Sequence, residues 1–199
     1  MNHAFIDTLK QRRTQYSLGR NLSASPEKLT ALIQAAIKQT PSSFNSQSSR
    51  AVILFGAESQ KVWQIAVDEV RKVAPAEGFE KTEAKLNSFA AGVGTVLFYE
   101  DQDVVRSLQE QFALYADNFP VWSEQSSGMA QLAVWTVLAT NDVGASLQHY
   151  NPLIDAAVAA EWNVPASWKL RAQMPFGSNE GAFGEKTFMD DAERFRVAG

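Results

Sequence analysis

"AAGVGTVLFYED", residues 90–101, is the stretch on which the fold turns. From Val93 to Tyr99 it is rich in β-branched, aliphatic and aromatic residues, and it is entered through Gly92 and Gly94. An apolar run this short, bounded by glycines, reads as a buried strand rather than a helix. Ala51–Phe55 reads the same way. "ASLQHY" (145–150) and "WKLRAQMPFG" (168–177) supply a third and a fourth strand.

Helical periodicity fills the intervals. Phe5 and Leu9 suggest a short first helix ending at Arg12–Arg13. Ser25–Pro26–Glu27 is a helix start, with a hydroxyl to cap, Pro at the first position and an acid in the first turn. Leu29, Leu32, Ile33, Ala36 and Ile37 then share one face. A further helix begins at Ser59 and carries Trp63, Ala66, Val67 and Val70. Others follow around Glu80–Leu86 and through Val104, Leu108 and Phe112. Residues 127–145 hold a helix apolar on nearly every face, as expected of a central helix wrapped by other elements. Asn151–Pro152 caps a short helix, and residues 185–199 read as an extended C-terminal arm. Helices with a few non-hairpin strands indicate an α+β or α/β fold in a single domain, 1–199, without repeats or a dividing linker.

Composition narrows the chemistry. The chain has 199 residues, a formal net charge of −4 and a pI near 5.3, so no basic field invites nucleic acid. It has no cysteine, which excludes disulfides, thiolate catalysis and zinc–sulfur sites. Its two histidines, His3 and His149, give poor support to a metal site. The N-terminus is too polar for a signal peptide, and no apolar stretch spans a bilayer. A cytoplasmic protein with no membrane partner is expected.

Four groups of residues could carry function. "RRTQY" (12–16) offers paired guanidinium groups and a hydroxyl, which suit a phosphate dianion; the alternative is a solvated basic turn. "TPSSFNSQSSR" (40–50) offers Ser42, Ser43, Asn45 and Gln47, donors and acceptors without an acid or base, which suit the mixed edge of a planar heterocycle; the alternative is a polar connector. Gln148 and His149 close the third strand, a usual place for ligands, or else His149 is satisfied locally. Lys186 offers a further cation. The glycines from Gly177 to Gly184 form neither a dinucleotide fingerprint nor a P-loop. Anion-binding and amide groups without a protein acid, base or nucleophile point to cofactor chemistry.

Taken in order, "RRTQY", "PSSFNSQSSR", "AGVGTVLFYED", "GASLQHYNPLID" and "MPFG" resemble the FMN-dependent nitroreductase family. The likeness is to its compact branch, with the fungal fatty-acid-repression-type proteins and bacterial stress-induced nitroreductases. It implies an α+β three-layer fold, a central mixed sheet flanked by helices, and an intertwined homodimer that exchanges arms and binds FMN at its interface. Arg12 would meet the FMN phosphate, helped by Arg13 and Thr14. Ser42, Ser43, Asn45 and Gln47 would face the flavin, Gln148 and His149 would lie along its ring, and Lys186 would be a second phosphate or ring-edge contact. NADH or NADPH would donate electrons, and a nitroaromatic or quinone would accept them by a ping-pong hydride mechanism. No catalytic side chain is implied, His149 being the one candidate. A flavin-binding redox-stress or regulatory protein with incidental reductase activity would need the same pocket. The sequence departs from the family in following its N-S-Q with Ser48–Ser49–Arg50 rather than an aromatic residue, and in carrying Gln148–His149 where others have an acid and a glycine.

Overall fold

The computed structural model describes residues 3–199; the first two residues of the polar N-terminus lie outside it. In chain order the elements begin with α1 (Ala4–Gln11), β1 (Leu18–Gly19), α2 (Pro26–Gln39), β2 (Ser49–Phe55), α3 (Gly56–Val73) and α4 (Phe79–Ala90). Then come β3 (Gly94–Asp101), α5 (Gln102–Gln111), α6 (Phe119–Ala139), β4 (Val143–Ala145), α7 (Asp155–Glu161), β5 (Trp168–Asn179) and α8 (Asp191–Arg194). Short 3₁₀ turns occupy Ser43–Asn45 and Ala113–Asn118.

Every residue of β3 is buried. Its side chains alternate between the two faces of the sheet, as a strand must. Leu97 and Tyr99 join a core with Val62, Trp63 and Val67 of α3, Leu86 and Phe89 of α4 and Val158 of α7. Val96 and Phe98 join another with Leu29 and Ile33 of α2, Val134 and Leu138 of α6, and Met174 and Phe176 of β5. Each large side chain buried this way contributes about 1.5–3 kcal/mol. The result is three layers, helices on a sheet on helices, in the expected α+β class. The glycines that lead into β3 are needed for close packing. A Cβ at Gly92 would stand 2.5 Å from the Phe176 carbonyl oxygen, and one at Gly94 would stand 2.6 Å from that of Leu54.

The sheet order is β1-β5-β3-β2, with β4 also paired to β5. All four strand ladders are antiparallel. The expected mixed sheet is therefore antiparallel, with a parallel element only in the bridge between Thr14 and Ala145. β2 lies at the edge with only Leu54 fully buried, so the expectation of a buried strand at Ala51–Phe55 is corrected to a half-buried one. β1 is a two-residue strand that the sequence patterns did not announce.

Three further expectations are corrected. The third strand is Val143–Ala145 rather than "ASLQHY". Ser146 N–H still reaches the Pro175 carbonyl, but Pro175 has no N–H to return, and pairing resumes only at the bridge between Gln148 and Gln173. Asn151 does not cap α7, which starts four residues later; its amide donates to Asp155 Oδ1 and the Leu170 carbonyl. α3 starts at Gly56, and Ser59 lies inside it rather than at its cap.

Ser59 is instead part of a buried network. Its Oγ lies 2.7 Å from Thr95 Oγ1, which also accepts from Trp63 Nε1 at 2.9 Å. Thr95→Val keeps the shape but leaves the indole N–H and a serine hydroxyl unsatisfied. The loss expected is about 1–3 kcal/mol of stability, measured by denaturant unfolding.

Candidate functional site

α1 ends where Arg12 and Arg13 turn the chain onto the sheet. From there Gln15 N–H bonds the Ala145 carbonyl at 2.9 Å, so the segment runs beside β4. Gln15 is buried and acts as a brace: its Nε2 donates to the Gly181 carbonyl at 2.7 Å, and its Oε1 accepts from Ser17 N–H at 2.9 Å. Arg13 donates to the Gly184 carbonyl. These bonds draw the glycine run after β5 across residues 12–17 and open a cleft of about 600 Å³ between them. Arg12, Arg13 and Thr14 line one side; Gly181, Ala182, Gly184 and Lys186 line the other. The structure thus brings four of the expected phosphate contacts into one place. Its second wall is the glycine segment that matches no nucleotide fingerprint.

Arg12 is the notable group. It is half-buried, and its guanidinium makes no hydrogen bond or ion pair with any described residue. Its carbon lies 4.4 Å from the centre of the Trp135 ring, a cation–π contact that fixes its direction from α6. Burial, and after it the charge of Arg13, push its pKa down from the ordinary value. An anion in the cleft would relieve both and fill the unused donors. Trp135 Nε1 is itself buried and has no partner among the described residues. An unpaired guanidinium, a second arginine, a threonine hydroxyl and Lys186 together fit a phosphate monoester.

The amide-rich loop forms a separate cleft of about 280 Å³. Ser42, Asn45 and Gln47 line it with Lys38 of α2, Arg50 of β2 and Ala130 of α6. The loop is strained: Phe44, Asn45 and Gln47 have φ of 57°, 50° and 48°. Such conformations cost about 1–3 kcal/mol each and persist only where surrounding contacts impose them. Some of that support is internal. Asn45 N–H donates to the Ser42 carbonyl, and Gln47 N–H to Ser42 Oγ, both at 2.9 Å. The rest is aromatic. The half-exposed Phe44 ring meets Phe112, Phe119 and Trp122 at centroid distances of 4.8, 5.2 and 6.1 Å.

The remaining expected residues stand apart from both clefts. Ser43 faces a small cavity with Ser46, Ser48 and Trp122. Gln148 is buried, its Nε2 donating to Ser146 Oγ at 3.0 Å, and His149 is exposed. Trp135 and Arg50 were missed by sequence reasoning. Trp135 gave no signal, because an all-apolar helix does not announce its direction. Arg50 did give one, as the cation that ends the amide-rich stretch.

A third opening, of about 500 Å³, is apolar and lies between α1, α2 and α6, with Phe5, Leu9, Met129 and Leu132 around it. The expectation that other elements wrap α6 on all sides is therefore corrected. Its Met129 and Leu132 face is 40–44% exposed, because α1 and α2 leave a gap over it. Among the described residues no helix is long and apolar enough to cross a membrane.

These features sit on a chain that belongs to the nitroreductase family, whose family model matches residues 9–178. It is similar to the nitroreductase CinD from Lactococcus lactis, solved in complexes with nicotinic acid, chloramphenicol and 4-nitrophenol. In the nicotinic acid complex the identity is 56%, the TM-score 0.91, and coverage 98% of this chain and 100% of that one. A Saccharomyces cerevisiae relative named HBN1 is 38% identical over 194 residues, 96% of each chain. A Desulfovibrio desulfuricans protein solved with FMN shares the fold at 16% identity and a TM-score of 0.72, covering 100% of this chain and 99% of that one.

Trp135→Leu should remove the surface on which Arg12 rests. The affinity of the cleft for a phosphate monoester, read by calorimetry, should drop about twofold to thirtyfold, as expected for a cation–π contact of roughly 0.5–2 kcal/mol. Trp135→Phe should lose less.

Proposed function

We propose that the protein is an FMN-dependent NAD(P)H oxidoreductase that reduces nitroaromatics or quinones and acts as a cytoplasmic homodimer. The observation that carries this reading is the unpaired Arg12 guanidinium, seated in one cleft with Arg13, Thr14 and Lys186, in a chain of the nitroreductase family. The small aromatic ligands of CinD and the FMN of the Desulfovibrio protein support it by likeness.

In this reading Arg12, Arg13, Thr14 and Lys186 hold the FMN phosphate. Ser42, Asn45 and Gln47 present neutral donors and acceptors to the ring; Ser43, Gln148 and His149, outside both clefts of one chain, would border it only from a second copy. FMN, when bound, supplies a site that accepts hydride from a nicotinamide and passes electrons to an electron-poor acceptor. The chain's part is to bind, orient and stabilise negative charge, which fixed cations and amides do at no cost of rearrangement. The cleft of Arg12 and the cleft of the amide-rich loop are separate within one chain, and a second copy that brings its loop across would unite them. The open apolar groove of α1, α2 and α6 supports that copy, as do the exposed Phe188, Met189 and Phe195 of an exchanged arm, residues 185–199.

The visible absorption spectrum of the purified protein tests the proposal. A flavin spectrum that bleaches when NADH or NADPH is added without oxygen is the expected result; a colourless protein that takes up no FMN would refute it. Arg12→Ala should raise the FMN dissociation constant roughly tenfold to a hundredfold, the worth of one shielded charge-assisted bond of about 1.5–3 kcal/mol. Titration of the apoprotein followed by flavin fluorescence measures it.

A further inference from the structure

Glu100, near the end of β3, is 0% exposed and stands without a cation: among the described residues no lysine, arginine or histidine pairs with it. Three serine hydroxyls serve it instead. Ser48 Oγ donates to Oε2 at 2.5 Å, Ser123 Oγ donates to the same oxygen at 2.8 Å, and Ser49 Oγ donates to Oε1. A buried carboxylate is expensive to desolvate, and an apolar residue would serve the strand as well. The fold alone does not call for it.

What the three hydroxyls have in common is the amide-rich loop. Ser48 and Ser49 are its last residues as the chain enters β2, and Ser123 belongs to α6 beside the aromatic rings on which Phe44 packs. The next residue acts on the same stretch. Asp101 N–H donates to the Ser48 carbonyl at 3.0 Å, and its carboxylate pairs at 3.1 Å with Arg50, which donates in turn to the Gln47 carbonyl. The strained residues Asn45 and Gln47 lie immediately before these anchors, and their own N–H groups donate back to Ser42. The left-handed backbone is therefore held from within at one end and by β3 at the other.

We propose that Glu100 is a positioning residue for the flavin-facing loop. Its carboxylate gathers Ser48, Ser49 and Ser123 and so fixes the conformation in which Asn45 and Gln47 are presented to the ligand, without touching the ligand itself. This rests on the reading of the loop as part of an FMN site.

Glu100→Gln keeps the volume but replaces one accepting oxygen with a donor, so the three hydroxyls can no longer all donate. Two measurements are made on the purified variant: FMN affinity by fluorescence titration, and hydrogen–deuterium exchange along the chain. The expected result is an FMN dissociation constant raised at least tenfold, with faster exchange confined to residues 42–50. Leu86→Ala, a core cavity on the opposite face of the sheet, should lower the unfolding temperature while leaving both readouts in place. Should Glu100→Gln fail to fold, Ser123→Ala removes a single donor and should shift both readouts in the same direction, by less. Unchanged affinity and unchanged loop exchange in a folded variant would overturn the proposal. A wild-type protein that binds no FMN would overturn the reading of the site, and this proposal with it, a failure distinct from that of Glu100 alone.

Discussion

A strand buried along its whole length cannot be stabilised from one side. β3 sends Leu97 and Tyr99 one way and Val96 and Phe98 the other, so the molecule must supply a helical layer on each face. The rest of the architecture follows from that demand. α3, α4 and α7 fill one side, α2 and α6 the other, and β5 pairs along β3 for most of its length. The glycines at 92 and 94 let neighbouring carbonyls come close enough for this packing. Candidate functional groups then gather where the layers end: at the turn after α1, in the loop between α2 and β2, and in the glycine segment beyond β5.

The two clefts achieve order by different physical means. Around Arg12 the chain uses ring stacking and backbone bonds to hold a cation whose donors no described residue engages, a poise that burial and like charge make unfavourable and that an anion would relieve. Around Asn45 and Gln47 it uses strain, opposed by aromatic contacts and by carboxylates placed at the end of a strand. In the proposed reading, both arrangements spend folding stability on a surface prepared for a ligand.

Much of this was legible in the sequence where one local signal decided the matter. Ser25–Pro26–Glu27 marked α2, and Ser25 Oγ does accept from Lys28 N–H. Val93–Tyr99 marked β3 by its short run of β-branched, aliphatic and aromatic residues. Arg12, Arg13 and Thr14 stood out because adjacent guanidinium groups and a hydroxyl suit one kind of anion, and the structure puts Lys186 in the same cleft. What escaped depended on distant partners. β1 is too short to have a period, and β4 stops because of a proline thirty residues later in the chain. Glu100 gave no local signal, since its serines arrive from positions 48, 49 and 123. The half-burial of β2 and the open face of α6 reflect tertiary layout, to which an apolar run is blind.

α6 also has the character of a ruler. Ser123, Ala130 and Trp135 lie along it, reaching respectively the carboxylate under the loop, the loop cleft and the arginine of the other cleft. At a rise of about 1.5 Å per residue, the twelve positions from Ser123 to Trp135 separate those supports by roughly 18 Å. One residue inserted between them would lengthen the interval only slightly, but it would rotate one end by about 100° against the other. The helix thus carries a phase as well as a length: a substitution within it keeps both supports in register, and an insertion would not.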